Sequence, residues 1–220
     1  MRRYTFVIRK LTLIEVRNAC NEDINYRKAD YDMILVTGFA PFEGAKINPS
    51  YEAIKGLKKI HEVRDQIEIL ELPVVFGKAP DLLLEKIREY KPSAVISVGL
   101  AGGRKEITPE LIAVNFRNAR ISDNEGNKPD YEQIIPDGPA GIFSRLPLQE
   151  MIQQMKENGY PASLSTTAGS YVCNEVMYRL LYDYNGTAGY IHVPTSEELG
   201  GNMSVSEMTA ALAICIKTIC

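Results

Sequence analysis

The chain has 220 residues, of which 45% are hydrophobic and 24% are charged. This is the composition of an ordinary globular protein and excludes a fibrous or disordered one. Its 25 basic and 28 acidic residues give a net charge of −3, so no excess of cations is available to hold a nucleic acid or a membrane surface. The four cysteines are scattered and form no CxxC pair, which argues against a disulfide framework and predicts a reduced, cytoplasmic compartment.

The first 32 residues differ in character from the rest of the chain. They are rich in charges, contain no Gly or Pro, and show no periodicity that requires a core partner. Their apolar runs are too short for a secretory signal or a membrane-crossing segment. We therefore predict that residues 1–32 are an N-terminal extension outside the core fold and that residues 33–220 form a single domain.

From Met33 onward, short apolar runs alternate with segments of helical periodicity. The predicted strands are 33–38, 67–76, 94–98, 111–116, 162–166 and 190–193. The predicted helices are 49–60, 79–90, 148–157, 174–183 and 205–219, with a long polar connection over 118–141. This alternation predicts an α/β fold, a three-layer α/β/α sandwich around a mostly parallel, mixed and twisted sheet.

A candidate nucleophile, Cys173, follows a predicted strand and a turn of small residues. The strand ends near Thr166, and the next helix begins near the cysteine. A thiol at a helix N-terminus experiences the positive end of the helix dipole and unpaired backbone N–H groups, and both favour the thiolate. The alternative is a buried, inert cysteine, the usual fate of this residue type. Cys215, in an apolar helix, and Cys220 are expected to be structural or incidental.

The candidate base is His192, one of two histidines in the chain. It lies in an apolar strand that ends before Pro194, so it is either a hydrogen-bonded core residue or part of a site at the carboxyl end of the sheet. His61 has charged neighbours at a helix end and is expected on the surface. Glu110 opens an apolar strand, where a carboxylate needs a partner or a role.

A glycine-rich segment, residues 99–103, follows the predicted strand 94–98. Such turns often bind phosphate. The spacing matches neither the GxxxxGK[ST] nor the GxGxxG pattern, so the sequence gives little support to a nucleotide site.

Together, Cys173, His192 and Glu110 supply a thiolate, a general base and an orienting acid, the components of nucleophilic acyl transfer. Two other interpretations remain open. One is a glutamine amidotransferase-like hydrolase, in which the nucleophile also lies between a strand and a helix; Val172, where those enzymes have a glycine, argues against it. The other is a binding protein that has the same fold and no reactive cysteine.

Four segments resemble, in the same order, those of the pyroglutamyl-peptidase I (pyrrolidone-carboxylate peptidase) family. The first is Thr-Gly-Phe-Ala-Pro-Phe-Glu-Gly at 37–44 with Asn-Pro-Ser at 48–50. The others lie within 99–126, 165–174 and 189–194. The resemblance covers roughly residues 33–200 and finds no match for residues 1–32.

The resemblance implies a cytosolic cysteine peptidase that removes an N-terminal pyroglutamyl residue from peptides, without a metal or cofactor, as a homotetramer. By position, the family's nucleophile, base and catalytic carboxylate fall on Cys173, His192 and Glu110. Arg120 matches an arginine that supports charge near the thiol. The positions that match the family's substrate pocket are Phe39, Phe42, Asn48, Ile121 and Tyr171.

The chain departs from the family pattern at five positions in or near these motifs. Leu100 stands where many members have a glutamine that binds the ring amide, although other members also have leucine. The remaining substitutions are Ala40 for an acidic residue, Glu43 for glycine, Leu111 for a basic residue and Tyr171 for phenylalanine. We expect them to affect substrate affinity more than the chemical step, because the three catalytic positions are intact.

Overall fold

A seven-stranded mixed sheet forms the centre of the computed structural model, which describes residues 33–219. The strands are β1 (Ile34–Phe39), β2 (Ile67–Leu72), β3 (Ala94–Leu100), β4 (Thr108–Val114), β5 (Gly141–Phe143), β6 (Ser165–Thr167) and β7 (Thr187–Val193). Their order is β2-β1-β3-β7-β4-β5, with β6 paired to β4. Strands β2, β1, β3 and β7 are parallel, whereas β4 runs antiparallel to β7.

Within residues 33–219, five α-helices cover the two faces of the sheet. They are α1 (Pro49–Leu57), α2 (Lys78–Tyr90), α3 (Leu148–Glu157), α4 (Val172–Asp183) and α5 (Val205–Lys217), and a short 3-10 helix spans Glu197–Leu199. Helices α1, α3 and α5 share one apolar core with the sheet, and α2 and α4 share the other. The predicted three-layer α/β/α fold with a mixed sheet is confirmed.

Local boundaries differ from the prediction where prolines and glycines intervene. The strand predicted over 67–76 ends at Leu72, because Pro73 has no backbone N–H to donate to a neighbouring strand. Strand β3 does not stop at Gly99 but continues to Leu100. Strand β4 begins at Thr108 instead of residue 111. Glu110 therefore lies inside a strand, and the strand residues on either side of it fix the direction of its side chain.

The start of α1 holds the end of β1 in place. Asn48 caps the helix by accepting a hydrogen bond from the Ser50 backbone N–H at 3.1 Å, and Pro49 occupies the first helical turn. The Ser50 hydroxyl in turn accepts from the Phe39 backbone N–H at 3.1 Å. This chain of bonds fixes Phe39 at the carboxyl end of β1.

No helix within residues 33–219 is both long enough and apolar enough to cross a bilayer. The prediction that residues 1–32 are an extension concerns residues outside the described part of the chain.

Candidate active site

A cavity of about 800 Å³ opens above the carboxyl ends of β1 and β3 and beside the start of α4. Its walls are mainly apolar and include Cys173. The residues predicted for the substrate pocket and for charge support all line this one cavity: Phe39, Phe42, Asn48, Arg120, Ile121 and Tyr171. The fold thus brings together side chains from three separate sequence motifs.

Cys173 is the second residue of α4, and its side chain is partly exposed to the cavity. The residue before the helix, Tyr171, makes no side-chain cap to the first-turn N–H groups. The buried Asn174 fixes this end of the helix: its amide accepts from the Val114 N–H at 3.0 Å and donates to the carbonyls of Val114 and Phe116, each at 2.9 Å. Sequence analysis assigned no role to Asn174, although a fully buried polar residue beside the thiol implies one.

His192, next to last in β7, lies between Glu110 and Cys173. Its Nδ1 is 2.6 Å from Oε1 of Glu110, and both side chains are almost completely buried. Burial alone would lower the pKa of His192. Hydrogen bonds with Cys173 and Glu110, together with their negative charge, outweigh burial and raise the pKa of His192 to about 9. The ring therefore favours the imidazolium form.

Glu110 is fully buried on β4 and has a second cationic partner that sequence analysis missed. Arg104, in the turn between β3 and β4, places Nη1 2.7 Å from Oε1 of Glu110. The same guanidinium donates to the Thr108 hydroxyl. Burial acts to raise the pKa of Glu110, but the hydrogen bond and charge of His192, with smaller contributions from the Ser165 hydroxyl and Arg104, prevail, so the pKa of Glu110 is lowered.

Tyr171 and Phe42 both line the cavity, and the Tyr171 ring also packs against Phe76. Its ring centroid lies 5.7 Å from that of Phe42 and 5.1 Å from that of Phe76, the latter in an edge-on arrangement. Its hydroxyl donates to the Ser122 carbonyl at 3.1 Å. Burial, with the nearby negative charge of Asp123, raises the pKa of Tyr171 to about 12. The extra hydroxyl thus ties the Tyr171 ring to the 118–126 segment.

The polar groups of Asn48 are occupied by the protein itself. Besides capping α1, its amide donates to the Ala40 carbonyl at 3.0 Å and accepts from the Ser50 hydroxyl at 2.9 Å. Asn48 therefore shapes the loop that carries Phe42. At the rim, Arg120 and Ile121 are exposed to solvent.

Gly99 belongs to the site through its lack of a side chain. A Cβ atom built there would lie 2.1 Å from the Tyr190 hydroxyl. The Tyr190 ring in turn packs against the His192 ring, with centroids 4.9 Å apart. The glycine-rich segment thus makes room for an aromatic ring next to His192 and lines the cavity at Gly102.

Two other candidate residues lie elsewhere. Cys215 is buried in α5, where burial raises the pKa of its thiol to about 12. His61 is exposed, as expected. Among residues 33–219, no group of His, Cys, Asp or Glu side chains is arranged to hold a metal ion.

Comparison with known proteins decides the family. A family model described as pyroglutamyl peptidase matches residues 32–220. The chain belongs to the pyroglutamyl peptidase family. A pyrrolidone-carboxylate peptidase from Clostridium perfringens is 44% identical over 197 residues, which is 84% of this chain and 92% of that protein. The corresponding protein of Bacillus subtilis is 42% identical over 195 residues, or 84% and 91%.

Solved structures agree with this assignment. The pyroglutamyl peptidase I of Bacillus amyloliquefaciens superposes with a TM-score of 0.80 at 38% identity, covering 84% of this chain and 95% of that one. A mutant pyrrolidone carboxyl peptidase from Pyrococcus furiosus gives a TM-score of 0.78 at 40% identity, with 84% and 96% covered. The predicted family, fold and enzyme class, a pyroglutamyl-peptidase I hydrolase, are confirmed by these matches.

Proposed function

We propose that this peptidase cleaves the amide bond after an N-terminal L-pyroglutamyl residue with Cys173 as its nucleophile. In the resting site the thiol proton is on His192, so the sulfur is a thiolate. The sulfur forms a bond to the pyroglutamyl carbonyl carbon, and the carbonyl electron pair moves onto oxygen. The free N–H groups at the start of α4 stabilise that oxyanion, and Arg120 at the rim adds positive charge.

His192 then acts as the acid. As the tetrahedral intermediate collapses, the C–N bond breaks and the imidazolium gives its proton to the leaving amine, which departs as the shortened peptide. A thioester between Cys173 and the pyroglutamyl group remains. Water, deprotonated by the neutral imidazole, attacks the thioester and releases pyroglutamate with return of the thiolate and imidazolium. Glu110 keeps the ring oriented and stabilises its charged form throughout.

Recognition of the pyroglutamyl ring rests on shape and apolar contact. A lactam carries no charge, so a flat ring gains most from packing against aromatic side chains and from a few polar contacts. Phe39, Phe42 and Tyr171 supply these walls. Leu100 offers no side-chain donor or acceptor to the ring amide, so backbone N–H and C=O groups form the hydrogen bonds to it.

The observation that carries this proposal is the contact of His192 with both Glu110 and Cys173 beside an apolar cavity. The test is hydrolysis of pyroglutamyl-aminomethylcoumarin, with the prolyl analogue as the matched control substrate. We expect release of the fluorophore from the pyroglutamyl compound only. Cys173→Ala should abolish it, with a loss of several orders of magnitude in kcat, while Cys215→Ala retains it. Hydrolysis that survives in the Cys173 variant would overturn the proposal.

Two further predictions come from the family resemblance and stay predictions: a homotetrameric assembly and a cytoplasmic location. Sedimentation of the purified full-length chain tests the first. Fractionation of the source cells tests the second.

A further inference from the structure

Two cations share a single oxygen atom of Glu110. Oε1 lies 2.6 Å from Nδ1 of His192 and 2.7 Å from Nη1 of Arg104. Oε2 is buried and has no hydrogen-bond donor within the described structure. Both cations therefore hold the carboxylate through the same oxygen, His192 from β7 and Arg104 from the turn before β4.

The charges of the proposed resting site do not balance without the arginine. A Cys173 thiolate and a Glu110 carboxylate carry two negative charges, and the His192 imidazolium neutralises one. A carboxylate with no solvent exposure that is left partly uncompensated takes up a proton instead. Arg104 supplies the missing positive charge and is itself only 30% exposed at its side chain.

We propose that Arg104 is a positioning residue that keeps Glu110 ionised, and thereby keeps His192 charged and Cys173 in its thiolate form. This inference rests on the roles proposed above for those three residues. Arg104 acts through Glu110 and does not contact the reacting atoms. The Thr108 hydroxyl, on the same strand as Glu110, accepts a hydrogen bond from the guanidinium and fixes its position beside the carboxylate.

The groups that face Glu110 come from several elements. His192 and Tyr190 lie on β7, Cys173 at the start of α4, Arg104 in the turn before β4, and the uncharged Ser165 opposite on β6. Tyr190 is a neutral phenol at working pH, because burial raises its pKa well above the ordinary value. Arg104 is the partner whose positive charge does not depend on pH in the range of interest.

The test compares Arg104→Gln, which removes the charge, with Arg104→Lys, which retains it. In Arg104→Gln we expect the acidic limb of the kcat/KM profile to move to higher pH by about 1 unit, since an adjacent opposite charge lowers a carboxyl pKa by one or more units. Alkylation of Cys173 by iodoacetamide, followed at that residue by mass spectrometry, should show the same shift. In Arg104→Lys, which keeps a positive charge at this position, the acidic limb should stay close to that of the unaltered chain.

A matched control exists in the same chain. Arg117 pairs with the buried Glu175 at 2.8 Å and has a similarly exposed side chain, 28% against 30%. Arg117→Gln should lower the melting temperature without moving the acidic limb. If Arg104→Gln proves unstable, the comparison is made in a Glu110→Gln background, where removal of Arg104 should no longer move either profile.

An unshifted acidic limb in Arg104→Gln, an equal shift in Arg104→Lys, or a shift that persists in the Glu110→Gln background would each overturn the inference. Failure of the proposed function has a different signature, because the unaltered chain would then not hydrolyse the pyroglutamyl substrate. In that case the inference about Arg104 is still tested, because the pH dependence of Cys173 alkylation does not require hydrolysis of the substrate.

Discussion

Gly99 on β3 leaves the space that the Tyr190 hydroxyl on β7 occupies. A Cβ at position 99 would come within 2.1 Å of that hydroxyl and 3.0 Å of the adjacent ring carbon. The Tyr190 ring packs against the His192 ring, with centroids 4.9 Å apart. The absence of a side chain at Gly99 therefore affects the position of His192, the proposed base, through the Tyr190 ring.

We expect Gly99→Ala to lower both stability and kcat. Overpacking of a filled interior costs about 1–3 kcal/mol, and the displaced Tyr190 ring would push on His192. The double variant Gly99→Ala with Tyr190→Phe should recover most of the melting temperature and activity, because the phenylalanine lacks the clashing oxygen. Tyr190→Phe alone is the control. If the double variant recovers neither melting temperature nor activity, the clash with the Tyr190 hydroxyl is not the cause of the losses in Gly99→Ala.

Glu110→Gln should narrow the pH range of activity from its alkaline side. Burial lowers the pKa of His192, whereas its hydrogen bonds and charge interactions with Cys173 and Glu110 raise it to about 9. Without the carboxylate charge, the effect of burial is less fully offset, the pKa of His192 falls, and the imidazolium loses its proton at lower pH. The alkaline limb of the kcat/KM profile should therefore move down, with a larger loss in kcat than change in KM.

The control for this variant is Glu175→Gln, since Glu175 is also buried and paired with an arginine. It should reduce the melting temperature and leave the alkaline limb in place. A rise in KM alone for Glu110→Gln would instead identify Glu110 as a substrate-binding residue.

Local sequence predicted where the proposed catalytic residues lie in the fold, because these placements depend on neighbouring residues. Cys173 follows a strand and a small-residue turn, and His192 lies at the end of an apolar strand, so both positions are readable in the sequence. The ion pair of Arg104 with Glu110 was missed because it depends on how the turn between them folds back on β4. Contacts between distant segments, such as those of Phe76 with Tyr171 and of Asn174 with Val114, leave no periodic signal.

Strand β5 is an element of the fold that the sequence pattern did not predict. It has three residues, Gly141–Phe143, which are too few for an alternating pattern to appear within a long polar segment. Its pairing with β4 is set by the tertiary structure. The longer elements were predicted because their apolar residues repeat over several turns or strand positions.

Phe42→Ala should weaken binding of the pyroglutamyl ring. Loss of one aromatic wall removes about 1–3 kcal/mol of apolar contact, so KM for the pyroglutamyl substrate should rise about 5- to 150-fold. Phe143→Ala, on an edge strand and 62% exposed, is the matched control and should leave KM unchanged. Unaltered KM and selectivity in Phe42→Ala would exclude Phe42 from the pocket.

Tyr171→Phe should raise KM by a small factor and leave kcat nearly unchanged. The variant keeps the ring that packs on Phe42 and Phe76 and loses the hydrogen bond to the Ser122 carbonyl. A typical hydrogen bond contributes about 0.5–1.5 kcal/mol, so the 118–126 segment with Arg120 and Ile121 should be held less firmly. Kinetics of the purified variant measure both constants, and a large fall in kcat would contradict this assignment.

A chain that begins at Met33 should fold and retain its hydrolytic activity. Every residue of the proposed site lies between Phe39 and His192, and β1, the first strand after the extension, is already paired on both sides by β2 and β3. A strand from residues 1–32 would have to pair with a strand that has a single partner in the sheet, namely β2, β5 or β6, which exposed edges allow. The shortened and full-length chains should be compared by melting temperature, sedimentation and hydrolysis rate. Equal values support an extension outside the core, whereas a loss of several kcal/mol in stability, as expected for removal of an integral strand, would make residues 1–32 part of the fold.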